Sequence, residues 1–244
     1  MGVCMNVLIA CEESQTVCKA FRERGHRAFS CDIQPCSGGH PEWHIQGDAL
    51  QLINGNCTFV TADTHTHTQA GPWDLLIAHP PCTYLSNLGA NHLYCGVERV
   101  ENTRGDTFRL MNEDRIVKAI IARDFFLAFF NADCKKIAIE NPVPSSIWQL
   151  PKHTQMIQPF YFGDPFKKKT YLWLRGLQPL EHTNDVEPTG LWVDGGHAKE
   201  TKMLTYGFRD SKKRSKTFPG IAKAMAEQWG GGYQAAQLSL FGGI

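Results

Sequence analysis

Two apolar runs in this sequence end in side chains that can do covalent or acid–base chemistry. The first, Leu75–Ala78, is typical of a buried central strand. It stops at Pro80-Pro81, because proline cannot donate to a sheet ladder, and Cys82 follows directly. Open α/β sheets bind ligands beyond the carboxyl ends of their strands. A thiol held there by a rigid turn is therefore a candidate nucleophile, although a lone cysteine can also be a packed structural thiol.

The second run, Lys135–Glu140, predicts another buried strand and ends on Glu140-Asn141. An acid that ends a strand at the same sheet edge as Cys82 favours a role in proton transfer. The alternative is that Glu140 only caps the next element.

The amino-terminal segment has the pattern of a nucleoside-binding half-sheet. Asn6–Ala10 predicts a first strand, Ser14 is a candidate cap for the helix that follows, and residues 28–33 predict a second strand. Asp32 near its end could accept hydrogen bonds from ribose hydroxyls, and Asp48 from an adenine amino group. Both acids could also be ordinary turn residues.

The loop after the first strand lacks the glycine-rich fingerprint of a dinucleotide site. Glu12 and Glu13 stand where a pyrophosphate would need backbone amides and no negative charge. An acidic loop tolerates a cationic cofactor instead. S-adenosylmethionine, which carries a sulfonium and an ammonium group, is such a cofactor, and we expect it here.

The rest of the chain alternates between predicted strands and helices. This alternation predicts an α/β fold with a doubly wound, mainly parallel sheet. We expect an exposed loop at 54–72 and a mobile loop at 87–112. We expect a helix over Glu113–Phe130, which would bury Ile116, Ile120, Ala128 and its Phe pairs. A strand over Thr170–Leu174 and a helix over Ile221–Trp229 follow. The predicted divisions are a catalytic and cofactor-binding domain at 1–175, a small irregular basic lobe at 176–215, a closing helix at 216–229 and a flexible tail at 230–244.

Composition excludes a disordered chain and indicates uneven charge. Hydrophobic residues make up 42% of the 244 residues, so a sizeable core is possible. Nine cysteines without a repeated Cys-x-x-Cys spacing, together with no recognisable signal peptide, favour reduced thiols in a cytoplasm. Residues 167–216 hold eleven Lys/Arg against six Asp/Glu, whereas residues 1–166 hold thirteen against seventeen. One basic face could therefore meet a polyanion, or could simply be solvated.

One cluster has ligands that zinc accepts, namely Cys31, Cys36, His40 and His44. The strand ending at Asp32 and the Gly38-Gly39 loop explain these residues without a metal, and we expect none.

Four stretches resemble the DNA (cytosine-5) methyltransferases, in particular short phage-type members. They are Pro80-Pro81-Cys82, Glu140-Asn141, Gly-Asp-Pro-Phe-Lys-Lys at 163–168 and Phe-Pro-Gly-Ile-Ala at 218–222, in this order. The likeness spans roughly residues 6–229. It implies a Rossmann-like fold that uses S-adenosylmethionine, in a protein encoded by a phage or prophage and located in the bacterial cytoplasm.

The resemblance assigns a role to each catalytic residue. Cys82 would add to C6 of cytosine and so make C5 nucleophilic, and Glu140 would face ring N3. Asn141 would hold Glu140 and the loop, and Lys168, where the family usually has arginine, would lie near O2. The target base would be flipped out of its duplex. The DNA contacts would be Ser86, Lys167, Lys168, Lys169, Lys212, Lys213 and Arg214.

The resemblance also implies the contacts of S-adenosylmethionine, which would be Ile9, Ala10, Cys11, Glu12, Ser14, Asp32, Ile33, Asp48, Ala49, Pro81, Ser215 and Thr217. This sequence departs from the family at three of its motifs. Glu12-Glu13-Ser14 replaces a glycine-rich loop, His79 stands where glycine is common, and Lys168 and Thr170 replace two arginines. The short segment after the basic motif implies a short or relaxed recognition sequence in the DNA.

The tail carries an independent motif. Gln237-Leu238-Ser239-Leu240-Phe241 resembles the pentapeptide that binds the bacterial sliding clamp, with Gln237 for a polar contact and Leu238, Leu240 and Phe241 for an apolar groove. It could also be a strand or apolar patch that folds back on the protein.

Two other functional classes stay open. An amino-methyltransferase acting on adenine N6 or cytosine N4 would need no thiol, so Cys82 argues against it. A catalytically silent module that binds DNA or the clamp is the second class. RNA or a free nucleotide also remains a possible acceptor.

Overall fold

The computed structural model describes residues 3–189, 193 and 215–231. Its strands are β1 (Asn6–Ala10), β2 (Arg27–Asp32), β3 (His44–Gln46), β4 (Cys57–Val60), β5 (Thr66–Gln69), β6 (Leu75–Ala78), β7 (Tyr94–Glu101), β8 (Thr107–Met111), β9 (Ile137–Pro142), β10 (Gln155–Ile157) and β11 (Thr170–Arg175). Its α-helices are α1 (Thr16–Glu23), α2 (Asn87–Ala90), α3 (Glu113–Phe130) and α4 (Pro219–Trp229). Short 3-10 turns lie at Pro41–Trp43, Ala49–Gln51, Asn91–Leu93, Ser146–Trp148 and Pro159–Tyr161.

A seven-stranded sheet in the order β10-β11-β9-β6-β1-β2-β3 forms the centre of the fold. The five strands from β9 to β3 are mutually parallel, and β11 runs antiparallel to β9. The chain leaves β1 toward β2 on one side and reaches β6 on the other, so the strand order reverses between β1 and β6. Ligands bind at such a reversal in open α/β sheets.

Helices cover both faces of this sheet, as the alternating pattern predicted. Side chains alternate along β1, so Leu8 and Ala10 pack on the face covered by α3, and Val7 and Ile9 on the face covered by α1 and α4. The fold is therefore α/β, with a doubly wound and mainly parallel sheet.

Two expected loops are β-hairpins instead. Within residues 54–72, β4 and β5 pair antiparallel around a turn in which Thr64 has φ 72°, and Phe59 anchors the hairpin in the core. Within 87–112, α2 is followed by the antiparallel pair β7–β8. Both predictions failed because these strands bury few side chains: Val60, Leu110 and Met111, for example, are exposed, so the strands lack the alternation of a half-buried strand.

The predicted helices are present, and α3 buries most of the face that was predicted. Phe126 and Phe129 are buried and Ile116 and Ala128 pack against the core, whereas Ile120, expected inside, is 39% exposed. The strand expected from Lys135 begins at Ile137 and runs on through Asn141 to Pro142, where it pairs with β11. No helix in the described part of the chain is long and apolar enough to cross a membrane.

The predicted basic lobe and tail fall largely outside the described residues. Residues 176–189 are irregular, as expected, and two of them anchor the lobe: Gln178 accepts a hydrogen bond from Trp229 Nε1, and Glu181 pairs with Gln228. Lys212, Lys213 and Arg214, and the tail residues Gln237, Leu238, Leu240 and Phe241, lie outside the described ranges.

Candidate active site

The thiol and the carboxylate predicted to act together follow neighbouring parallel strands. In the register of the sheet, Ala78 of β6 lies opposite Ile139 of β9, and Ala10 of β1 lies on the other side of Ala78. Glu140 is the next residue of β9, and Cys82 follows β6 after the Pro80-Pro81 turn. Both therefore lie at the carboxyl edge of the sheet, next to the end of β1.

Cys82 sits in a turn at this edge and is partly exposed. Its carbonyl oxygen accepts from the amides of Leu85 (3.1 Å) and Ser86 (3.0 Å), which closes the turn. A thiol packed only for structure would be enclosed by hydrocarbon, as Cys18 is. Cys82, which is partly exposed, is not enclosed in this way.

Asn141 ties the two segments together. Its side chain is fully buried, and its Nδ2 donates to the carbonyl oxygen of Pro80 at 3.1 Å. Further along, the amide of Asn87 donates to Val143 and that of Ser145 to Leu85. The turn that carries Cys82 is therefore fixed to the segment that follows Glu140.

Arg115 fixes the same turn from the side of α3. Its Nη2 donates to the carbonyl oxygen of Thr83 at 2.8 Å, and its guanidinium lies 4.4 Å from the ring centre of Tyr84. No pattern in the sequence selects Arg115, because neither the fold of 87–112 nor the approach of α3 to this turn was predicted.

Glu140 is almost completely buried and is held ionised by its neighbours. Burial opposes the charge, but Lys168, His79 and Thr170 outweigh it and keep the pKa of Glu140 below its ordinary value. His79 Nδ1 lies 3.2 Å from Glu140 Oε2. His79 was noted in the sequence only as a departure from the family, and here it contacts the central carboxylate.

The three lysines before β11 lie at the same edge. Thr170 pairs with Pro142 at the end of β9, so Lys167, Lys168 and Lys169 precede β11 where β9 ends. The backbone amide of Lys168 is fixed by Gln158 Oε1 at 2.9 Å. This placement lets the Lys168 charge act on Glu140, and it adds positive charge beside the candidate nucleophile.

A second cluster lies across the ends of β1, β2 and β3. Burial raises the pKa of the Cys11 thiol, and the charges of Asp32, Cys31 and Asp48 raise it further because they lie nearby. Asp32 is half-buried, Asp48 is exposed, and Ile33 is 72% exposed between them. Two carboxylates beside an exposed apolar side chain suit a ribose and a flat base.

Other predicted cofactor residues are less accessible. Ile9, Ala10 and Ala49 are buried in the core, so any contact from them would come from the backbone. Asp48 Oδ1 accepts from the amide of Leu50, which caps the turn Ala49–Gln51, so it has the turn role as well. Pro81 is exposed next to Cys82.

The carboxylate of Glu12, predicted as a cofactor contact, is bound to the helix that follows it. This buried carboxylate turns inward and accepts from the amides of Val17 (2.6 Å) and Cys18 (3.1 Å) at the start of α1. Burial raises the pKa of Glu12, against the opposing influence of His79 and of these two amides. Glu12, and not Ser14, is therefore the cap of α1; the Ser14 hydroxyl contacts that of Thr16.

This cap has a chemical consequence. A phosphate bound at the amino terminus of α1 would need the amides that Glu12 already occupies. The loop also turns without glycine, since Cys11 (φ 60°) and Gln15 (φ 58°) adopt left-handed conformations. Gln15 is held there by a reciprocal pair of bonds with the backbone of His40.

The segment before α4 reaches this loop. Lys216 lies 3.8 Å from Glu13 Oε1 and donates to Ser37 Oγ at 3.1 Å. Ser215 and Thr217 flank Lys216, so both predicted cofactor residues lie near the loop after β1. The Glu13 charge is consequently shared with Lys216 and Ser37.

Two of the four resemblance motifs contact each other. Asp164 Oδ2 accepts from the amide of Gly220 at 2.8 Å, so the 163–168 motif caps α4. Burial raises the pKa of Asp164 despite this bond. A side chain at Gly220 would meet the carbonyl oxygen of Phe162 at 2.0 Å, which explains the glycine.

The cysteine–histidine cluster considered for zinc is used otherwise. Both ring nitrogens of His44 have partners, Ser30 Oγ and the carbonyl oxygen of Gln34, and His40 stacks on Trp43. Across the ranges that the structure describes, no three His, Cys, Asp or Glu side chains gather as a metal site would require.

No protein-family model matches this chain, and no curated protein matches it. Among solved structures the chain is similar to EhMeth, a methyltransferase of Entamoeba histolytica, with a TM-score of 0.36 and 12% identity. The match covers 76% of this chain, which spans 57% of the length of that protein. The function of this chain must therefore be argued from the geometry of its site.

Proposed function

We propose that this protein transfers a methyl group from S-adenosylmethionine to C5 of cytosine in DNA, through a covalent bond between Cys82 and C6 of the base. The observation that carries the proposal is the shared location of Cys82 and Glu140. They lie at one sheet edge, where the Asn141–Pro80 hydrogen bond links their two segments. This pair is also what the resemblance to the cytosine-5 enzymes requires.

Each residue has a task in this reaction. The Cys82 thiolate forms a bond to C6, and the electron density that moves toward C5 and N3 makes C5 a nucleophile. Glu140 contacts N3 and shares a proton with it as charge develops there. Lys168 lies on the side of O2. Removal of the C5 proton by a base then breaks the bond to Cys82 and releases the product.

The cofactor would be held at the ends of β1, β2 and β3. Asp32 would accept from ribose hydroxyls, Ile33 would lie against the adenine, and Asp48 would accept from its amino group. When bound, S-adenosylmethionine supplies an electrophilic methyl group. The occupied amino terminus of α1 supports a cofactor without phosphates, because Glu12 takes the amides that a pyrophosphate would use.

The test is covalent trapping on DNA with 5-fluorocytosine in place of cytosine. S-adenosylmethionine is included, because after C5 has been methylated fluorine cannot leave as a proton does, so the adduct persists and survives SDS. We expect an adduct with the wild-type protein and with Cys95→Ser, which changes another exposed cysteine, and none with Cys82→Ser. An adduct that persists in Cys82→Ser, or no adduct with any cytosine-containing sequence, would contradict the proposal.

Product analysis separates the rivals. Digestion of the methylated DNA and mass spectrometry of its nucleosides should give 5-methylcytosine. N4-methylcytosine or N6-methyladenine, with activity retained in Cys82→Ser, would instead support an amino-methyltransferase. An absence of labelled methyl transfer to duplex DNA, single-stranded DNA, RNA and nucleotides would leave the silent binding module.

We also propose that residues 237–241 bind the bacterial sliding clamp and hold the enzyme on DNA. The support is the sequence alone, in which Gln237, Leu238, Leu240 and Phe241 follow the glycines 230–232. Purified clamp should retain the full chain, and Leu240→Ala/Phe241→Ala should lose retention while Ser239→Ala keeps it. Equal retention of both variants, or no retention of the full chain, would refute this partner.

A further inference from the structure

His79 occupies a buried position between two carboxylates from different parts of the chain. Its side chain is 7% exposed and that of Glu140 is 10% exposed, with Nδ1 and Oε2 separated by 3.2 Å. Glu12, at the end of β1, acts on the same imidazole electrostatically. The backbone amide of His79 donates to the carbonyl oxygen of Ala10, which fixes the residue against β1. The imidazole thus links the β1 edge to Glu140.

The other ring nitrogen of His79 is unusual. Nε2 is buried, and among the residues that the structure describes it has no hydrogen-bond partner. A buried histidine with a purely structural role normally uses both nitrogens, as His44 does with Ser30 and Gln34. The unused nitrogen indicates that His79 changes its protonation or meets a group that is bound during function.

The proposed reaction creates a need for such a group. Glu140 is ionised in the resting site, because Lys168, His79 and Thr170 hold its pKa down. A carboxylate cannot donate, yet N3 of the base must receive a proton or a strong hydrogen bond as sulfur bonds to C6. The proton has to reach Glu140 from a neighbour, and the Nδ1–H of His79 is at hydrogen-bond distance.

We propose that His79 is a positioning residue that stores the proton Glu140 gives to N3. This inference rests on the proposed function. As the Cys82–C6 bond forms, the Nδ1 proton of the doubly protonated His79 passes to the ionised Glu140, and Glu140 then gives this proton to N3, which leaves His79 neutral and Glu140 again ionised. When the Cys82–C6 bond breaks, N3 returns the proton along the same route. No proton is consumed in the cycle.

The groups around His79 suit this relay. Two carboxyl groups interact with the imidazole, Glu12 from the β1 side and Glu140 from β9. Lys168, before β11, favours an ionised Glu140, and the uncharged Thr170 hydroxyl acts on the same carboxylate from β11. Of these neighbours of Glu140, His79 has a ring nitrogen at hydrogen-bond distance, 3.2 Å from Oε2.

The test is the pH dependence of adduct formation on 5-fluorocytosine DNA in a single turnover. His79→Asn keeps an N–H near the position of Nδ1 but cannot titrate. The fraction of Cys82 thiolate rises with pH in both proteins, so the quantity compared is the ratio of the wild-type rate to the His79→Asn rate. We expect this ratio to be at least about tenfold at neutral pH and to fall as the pH rises through the range in which histidine ordinarily titrates, since only the wild type has the proton reservoir.

The outcomes separate this inference from the proposed function. An unchanged profile in His79→Asn, with adduct formed, would overturn the relay alone. No adduct in the wild type would overturn both. If His79→Asn folds poorly, ¹⁵N-histidine NMR of the wild-type protein tests the relay independently, because it shows which ring nitrogens of His79 carry protons. The relay requires protons on both ring nitrogens of His79 in the resting protein, and an unprotonated Nδ1 at neutral pH would refute it.

Discussion

Asn141 makes the side-chain hydrogen bond that ties β9 to the Pro80-Pro81 turn. Replacing it with alanine leaves the carbonyl oxygen of Pro80 without its donor and removes one of the hydrogen bonds that join the turn carrying Cys82 to Glu140 and the residues after it. We expect Asn141→Ala to lower the free energy of unfolding by about 1–3 kcal/mol, the usual cost of a buried group left unpaired. Chemical denaturation would measure the loss.

The same variant should also slow trapping on 5-fluorocytosine DNA, because Cys82 is less firmly fixed relative to Glu140. Asn87→Ala, at an exposed position in the same region, is the control and should stay within about 0.5 kcal/mol of wild type. Equal stability and equal trapping rates in the two variants would show that the Asn141 side chain has no positioning role.

At the residue scale, sequence alone could select Cys82 and Glu140. Each follows an apolar run, and the carboxyl ends of parallel strands share an edge, so their proximity follows from the fold class. The inward turn of Glu12 could not be foreseen. Whether an acid in that loop faces solvent, a cofactor or the helix amides depends on the backbone angles at Cys11 and Gln15. These left-handed angles could not be predicted, because neither residue is a glycine.

At the scale of elements, the amino terminus of α1 is capped by the side chain of Glu12, five residues before Val17, and not by a residue adjacent to the helix. The pKa of Glu12 is raised in the folded protein. At pH values above 4.5, the ordinary pKa of glutamate, folding is therefore accompanied by the uptake of a proton. The contribution of Glu12 to stability is therefore complete below that pH and declines as the pH rises toward its pKa in the folded protein.

The unfolding free energy of wild type minus that of Glu12→Gln should accordingly decrease as the pH rises from about 4.5. Glu42→Gln is a control of opposite sign. A hydrogen bond from His40 lowers the pKa of Glu42, so its contribution is present above 4.5 and is lost as the pH falls. If the difference in unfolding free energy between wild type and variant changed with pH in the same direction for both variants, the proposed burial of Glu12 in the cap would be contradicted. Urea denaturation across this pH range measures both.

The contact between α4 and the 163–168 motif predicts that a substitution favoured by helix propensity, Gly220→Ala, will destabilise the protein. Alanine normally stabilises a helix by about 1 kcal/mol relative to glycine. At Gly220 its Cβ would lie 2.0 Å from the carbonyl oxygen of Phe162, so we expect Gly220→Ala to destabilise by about 1–3 kcal/mol.

Gly47→Ala is the matched control for this substitution. A Cβ at Gly47 meets no atom within 4 Å, and thermal unfolding should show almost no change. A Gly220→Ala protein as stable as wild type would mean that α4 can shift away from Phe162.

Elements with apolar runs were predictable and elements with polar strands were not. β1, β6 and α3 each bury a continuous set of apolar side chains, and their positions follow from periodicity. The β4–β5 hairpin owes its place to tertiary contacts: Phe59 packs in the core, and Arg27 of β2 donates to Gln69 and to the carbonyl oxygen of Thr68. Such contacts appear only once the sheet has formed.

For the whole molecule, topology decides where the charge lies. The sequence shows a basic segment late in the chain but not which edge it meets. The antiparallel course of β11 brings Lys167–Lys169 back to the carboxyl ends of β9 and β6, whereas Lys135 and Lys136, just before β9, lie at the opposite edge. If DNA approaches the nucleophile, only the first set can neutralise its phosphates.

This difference gives a matched test of the DNA surface. Each phosphate contact contributes about 0.9 to the slope of log affinity against log salt for duplex DNA. Lys167→Gln/Lys169→Gln spares Lys168 and should reduce the slope by about two and weaken binding most at low salt. Lys135→Gln/Lys136→Gln removes the same charge at the far edge and should leave the slope unchanged. Fluorescence anisotropy over a salt series measures both, and equal slopes in the two variants would place the DNA elsewhere on the protein.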